Sequence, residues 1–191
     1  LLRHTTARLQ ELNLCNNDID DERVDALVGA LANSNLRILD LAWNQAITAR
    51  GYQSLAVLLE QPNSSLEKLR LQYNNIGKEG ARIFADALVS NRKLKILGLD
   101  FNCLKAEGWS SFSKVLCDTS SVNNTYHSNH TLESLGGSLA VPAAVRALLA
   151  LNQSNDDKKQ VAMKKILKHH QHFDMQPFFE WDLKVLPIAI N

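Results

Sequence analysis

Leu66-Glu67-Lys68-Leu69-Arg70-Leu71-Gln72-Tyr73-Asn74-Asn75-Ile76 decides the fold, because its spelling, LxxLxLxxNxI, recurs along the chain. It returns as Leu9-Leu12-Leu14-Asn17-Ile19, as Leu36-Leu39-Leu41-Asn44-Ile47 with one extra residue before the isoleucine, and as Leu94-Leu97-Leu99-Asn102-Leu104. The starts at 9, 36, 66 and 94 lie 27, 30 and 28 residues apart, and self-similarity at such a period marks a stacked-repeat architecture. The leucines at the first, fourth and sixth positions enter one core, the middle one from a short strand of period two. The asparagine at the ninth position, Asn17, Asn44, Asn74 or Asn102, turns the chain out of the strand. Its amide can satisfy backbone groups that the turn leaves unpaired, in register with the next asparagine.

The second half of each unit aligns too. Arg23, Gly51, Gly80 and Gly108 form one column. Apolar residues follow at helical spacing: Val24-Leu27-Ala30-Leu31, Tyr52-Leu55-Leu58-Leu59, Ala81-Phe84-Ala87-Leu88 and Trp109-Phe112-Val115-Leu116, a stripe of period 3.6. Each unit is strand, turn, helix. Over residues 1–119 the chain resembles the ribonuclease-inhibitor subclass of leucine-rich repeats, found also in the Ran GTPase-activating protein and in NOD-like receptors. The expected fold class is α/β: a solenoid with a curved parallel sheet on its concave side and helices on its convex side.

After Leu116 the spacing breaks. A polar insertion, 120–131, separates it from Leu132-Glu-Ser-Leu135-Gly136-Gly137, a fifth, degenerate unit with no asparagine. Pro142 suits the first turn of a helix carrying Val145, Leu148 and Leu149, Asn155-Asp156-Asp157 can cap a second, and a third is expected from Phe178 to Leu186, between Pro177 and Pro187. Residues 132–191 are thus expected to form a helical C-terminal cap covering the last repeat's core. SNHTLESL, LLALN, KKILKHH and LKVLP are similar to leucine-rich-repeat proteins of unicellular algae such as diatoms, from which no function carries over.

Composition narrows the function classes. The 191 residues are 45% hydrophobic and 21% charged, usual for a globular chain, with 21 Lys and Arg against 20 Asp and Glu. A net charge of +1 gives no global field for gripping nucleic acid, and none is expected as partner. No apolar run approaches the roughly 18 residues of a membrane-spanning helix. Cys15, Cys103 and Cys117 form neither a disulfide framework nor a zinc site and read as reduced thiols of an intracellular, cytoplasmic chain. Sequons at Asn63, Asn123, Asn129 and Asn152 speak for a secreted alternative. The chain starts at Leu1 with little to cover the first repeat's core. It is therefore expected to be a fragment of a longer chain or a subunit of a larger assembly, prone alone to aggregate or melt early.

Function must lie in the variable positions. Position eight reads Asn16, Trp43, Tyr73, Phe101. Three aromatics in one exposed column are expected interface anchors; the alternative is that they stack on one another and stiffen the turn edge. Asp40 and Arg70 should be lateral neighbours, and Lys68 and Asp100 join them on the concave side. Gly98 and Gly136 should leave room there for a partner's backbone or a bulky side chain. The expected partner site is Trp43, Tyr73, Phe101, Asp40, Lys68, Arg70 and Asp100. The basic run 158–172 reads as the solvated face of a capping helix.

Enzyme signals are poor. His127/His130 and His169/His172 have metal-like spacing without thiolate or acidic partners, so they read as loop or surface histidines. There is no phosphate-cradling glycine loop and no GxSxG. No cofactor, metal or catalytic residue is expected. The reading is a non-catalytic interaction module that binds a protein on its concave face. A GTPase-activating regulator is the alternative by resemblance, although the activator's own residues do not map onto this sequence. A nuclease inhibitor ranks last, because its cysteine-rich repeats are missing.

Overall fold

The computed structural model describes residues 9–137, 141–154 and 156–171. Four short strands, β1 (Glu11–Asn13), β2 (Ile38–Asp40), β3 (Lys68–Arg70) and β4 (Ile96–Gly98), alternate with four helices, α1 (Asp21–Leu31), α2 (Ala49–Glu60), α3 (Gly77–Ser90) and α4 (Ala106–Leu116). The strands pair in chain order, all parallel. The register sets Leu12, Leu39, Leu69 and Leu97 side by side, so the middle leucine of every repeat falls in one row. The row from Leu39 on is fully buried, and the flanking leucines 41, 71 and 99 lie beside it. Each such side chain withdrawn from water contributes about 2 kcal/mol. At the other end of the row Leu9, Leu12 and Leu14 are only partly buried.

The helices close on the sheet with the stripes read from the sequence: Leu55 and Leu59, Phe84 and Leu88, Phe112 and Leu116 are all buried. The glycine column lets successive helices approach. A β-carbon on Gly80 would sit 2.6 Å from Ile76 Cγ2 and 2.9 Å from the Tyr52 ring, and one on Gly51 would meet Asp21 Oδ1 at 2.5 Å. Gly29, on the exposed side of α1, meets nothing. Gly80→Ala should therefore cost about 1–3 kcal/mol by overpacking, while Gly29→Ala gains about 0.5–1 kcal/mol of helix propensity. Thermal midpoints moving the same way in both variants would refute this account.

Much of the acidic run 18–25 is structural. Asp20 caps α1 by accepting from Arg23 N–H, and Arg23's backbone and guanidinium hold its carboxyl below the usual range. Asp21 accepts from the backbone N–H groups of Thr48 and Gly51 and from the Thr48 hydroxyl, so one unit caps the next unit's helix. Asp25 takes Ser54 and Arg50.

The insertion contains a short helix, α5 (Val122–His127), capped by Ser121. Thr125, fully buried, donates its hydroxyl to the chain's own carbonyls and meets His170 Nε2 at 2.8 Å. The fifth unit adds a single bridge, Ser134 to Ile96, at the sheet's end. Beyond it α6 (Ala143–Asn152) packs on α4, and α7 (Lys158–His169) packs on α5 and α6. Asp157 and Gln160 form a reciprocal capping box on α7. The expected helix 178–186 lies outside the described residues.

Candidate functional site

The asparagine column builds the strand-exit edge. Asn44 Oδ1 accepts from the N–H groups of Asn17 and Ile19, and its Nδ2 donates to the carbonyls of Leu14, Leu41 and Ala42. Asn74 repeats this toward Asn44, and Asn102 toward Asn74 and Ile76. Asn44, Asn74 and Asn102 thus each serve their own turn and the one before it. Asn17, at the column's open end, is exposed.

A second amide column, which the LxxLxLxxN spelling leaves out, lies three residues before the first leucine of the second to fifth units: Asn33, Asn63, Asn91 and Asn129. In its later members the same physics operates. Asn91 Nδ2 donates to Leu59 O and its Oδ1 accepts from Lys93 and Leu94. Asn129 Nδ2 donates to Leu88 O and Asn91 O, and its Oδ1 accepts from Thr131 and Leu132. Asn152 continues the line, donating to Asn129 O and Leu132 O. Two of the four sequons are therefore buried structural amides, against their reading as glycosylation acceptors; Asn63 and Asn123 are exposed.

Position eight carries the unusual backbone. Asn16, Trp43, Tyr73 and Phe101 have φ of 56°, 59°, 57° and 59°, a left-handed conformation that costs a side-chain-bearing residue about 1 kcal/mol. That geometry throws the side chains over the strand-exit edge, where three rings stack. Trp43 and Tyr73 lie 3.9 Å apart at 13°, Tyr73 and Phe101 4.2 Å apart at 10°. Tyr73 is sandwiched, whereas Trp43 and Phe101 remain 47% and 64% exposed.

On the concave face Asp40 accepts from Ala42 N–H and from Arg70 at 3.2 Å, and Arg70 reaches Glu11 at 3.7 Å. Asp40 is nearly buried, so it orients Arg70 and presents little of itself. Lys68 stands beside them with no ion pair among the described residues. The room expected at Gly98 and Gly136 is taken: the Gln72 side chain lies over Gly98, and the Asp100 carboxylate lies over Gly136 and accepts from Gly137 N–H. Position seven reaches sideways across the next strand and fills what its glycine leaves.

The histidines do not converge. His127 is exposed, edge-on to Tyr126. His130 is not a surface residue: it is 6% exposed and sits against Lys165, which is fully buried although it belongs to the basic run expected in solvent. Lys165 Nζ donates to Leu116 O at 2.7 Å, Asn129 O at 3.2 Å and His130 Nδ1 at 3.1 Å. An ammonium can only donate, so Nδ1 is the acceptor and Nε2–H donates to Tyr126 O. Desolvation, aided by Lys165, pushes the His130 pKa down to about 4, and desolvation brings Lys165 to about 8. Burial pushes the Cys117 thiol up. His172 lies outside the described residues, and among those described no group of three or more His, Cys, Asp or Glu is placed to hold a metal ion.

A family model described as "Leucine Rich repeat" matches residues 32–56 and 63–85. Mouse "NACHT, LRR and PYD domains-containing protein 14" is 36% identical over 110 residues, 57% of this chain and 11% of the relative. "RAN GTPase-activating protein 2" of Arabidopsis thaliana is 26% identical over 115 residues, 60% and 21%. Thus the chain spans only a small part of these curated relatives. Among solved structures, "Leiomodin-1 Actin-Binding Site 2 (ABS2)" superposes with TM-score 0.63 over 90% of both chains, and a Caenorhabditis elegans "tropomodulin C-terminal domain" with 0.60 over 90% and 95%, both at 19% identity. That likeness is one of fold.

Proposed function

The chain is a leucine-rich-repeat solenoid of the ribonuclease-inhibitor-like type, and from that premise we propose a non-catalytic module that binds a protein partner on its concave face and strand-exit edge. The observation that carries this reading is the aromatic stack. Asn16 shows that the left-handed position accepts an asparagine, which tolerates that backbone better than a large ring. Three successive units hold rings there instead, two of them widely exposed. Strain retained where a cheaper residue fits points to use. Trp43 and Phe101 are the anchors, Tyr73 fixes their spacing, and Arg70, oriented by Asp40, supplies polar register with Lys68 and Asp100. A cytoplasmic setting belongs to the same proposal. No helix among the described residues is long and apolar enough to cross a membrane.

Pull-down from the native source identifies stoichiometric companions, and the companion's affinity is then measured against the double variant. Trp43→Ala with Tyr73→Ala should weaken binding by well over tenfold, about 1.4 kcal/mol or more. Unchanged affinity eliminates this surface. The similarity to the RAN GTPase-activating protein favours a second reading, stimulation of a small GTPase. GTP hydrolysis by candidate small GTPases that stays at its basal rate with the chain added rejects it.

A further inference from the structure

The opposite, strand-entry edge carries a different chemistry. Two adjoining hollows of about 390 and 330 Å³ share Glu67 and Lys95. Arg92, Lys93 and Lys158 complete the charged lining of the first; Arg37, Lys68 and Glu11 that of the second. Six bases thus face two acids, and both acids are engaged. Glu67 is held by Arg37 at 2.7 Å and Lys95 at 3.3 Å, which keep its carboxyl below the usual range, and Glu11 leans to Arg70. Among the described residues Arg92 is fixed by backbone carbonyls alone, donating to Val89, Asn91 and His127. Lys68, Lys93 and Lys158 make no ion pair among the described residues. Arg92, Lys158 and Lys165 also converge on His130 closely enough to oppose its protonation. A cation fixed in place with no counter-ion among the described residues, beside two ammonium groups that make no ion pair among them, is an anion receptor organised before its ligand arrives.

We propose that this edge is a docking groove for an acidic peptide segment of a protein partner, with carboxylates seated at Arg92, Lys93 and Lys158 and, past Glu67, at Lys68. Acidic peptide is favoured over nucleic acid because neither hollow is lined by Trp, Tyr or Phe on which bases would stack; the stacked rings of Trp43, Tyr73 and Phe101 lie on the other edge. The concave shape, with Glu67 at its centre, likewise suits a single threaded chain better than the plane of an anionic bilayer.

The test uses the whole chain and a fluorescently labelled octaglutamate, with octaglutamine and a single-stranded oligonucleotide of equal charge as comparison probes. Lys93 and Lys158 are exposed, and Lys158 opens α7, where an acid is welcome, so Lys93→Glu with Lys158→Glu should leave the thermal midpoint in place. Octaglutamate should bind far more tightly than octaglutamine, weaken about tenfold or more in this double variant, and weaken with added salt. It should bind the Trp43/Tyr73 alanine variant as well as the parent, which separates this groove from the aromatic edge. Equal binding by the charge-reversed variant, no preference over octaglutamine, or tighter binding of the oligonucleotide would overturn the proposal.

Discussion

Asn102→Ala should lower the stability of the chain by about 3–5 kcal/mol and its thermal midpoint by roughly 10 °C. The side chain is 1% exposed and makes five hydrogen bonds: it accepts from Asn74 and Ile76 N–H and donates to the carbonyls of Leu71, Leu99 and Asp100. Its truncation leaves backbone groups of two units unpaired where water enters poorly, and each such group costs about 1–3 kcal/mol. The comparison variant is Asn17→Ala. Asn17 is exposed and, among the described residues, its side chain donates to Cys15 O alone, so the same truncation should cost less than about 1 kcal/mol. Urea midpoints that fall equally in the two variants would show that the amide relay does not hold the units together.

Acidification should loosen the packing of α7 through His130. Its folded-state pKa, about 4, lies below the unfolded value of 6.5, so between these limits the unfolded chain binds the extra proton. The His130 contribution is complete above pH 6.5 and lost progressively toward pH 4, at about 1.4 kcal/mol per pH unit and about 3 kcal/mol in all. Protonation also removes the lone pair that receives the Lys165 ammonium and sets two cations side by side. Lys165 titrates with the same sign at the other end of the scale: its folded pKa of about 8 lies below 10.5, so stability rises as pH increases between them. Denaturation midpoints at pH 6.5 and 4.5, for the parent and for His130→Gln, check the acid limb. An equally steep fall in the variant would assign the loss to other groups.

The leucine columns and the helical stripes were legible in the sequence because burial imposes a period, and a period survives in one dimension. The second amide column was equally periodic, but its position before the leucines falls outside the LxxLxLxxN spelling. Lys165 carried a signal as well: Val161 stands four residues before it and Ala162 and Ile166 flank the same buried stripe, so helical spacing places it on the apolar face despite the basic run around it. The closure of Gly98 and Gly136 was not legible. It depends on Gln72 and Asp100 reaching across to the neighbouring strand, and alternation says only which side of the sheet a residue leaves, not how far it leans. The left-handed backbone at position eight was hidden for a similar reason, since aromatic residues rarely adopt it and three rings in a column read first as exposure.

The direction of the amide relay has a bearing on biosynthesis. Asn44 completes the turn at Asn17, Asn74 that at Asn44, and Asn102 that at Asn74. A ribosome delivers the units N-terminal end first, so each is completed one unit behind its own synthesis. Each newly made turn waits, with bare amide protons and an open leucine row, for a successor still in the exit tunnel. The repeat made last is therefore always the one with unmet backbone groups, and a premature stop codon harms the unit before the break as well as removing those after it.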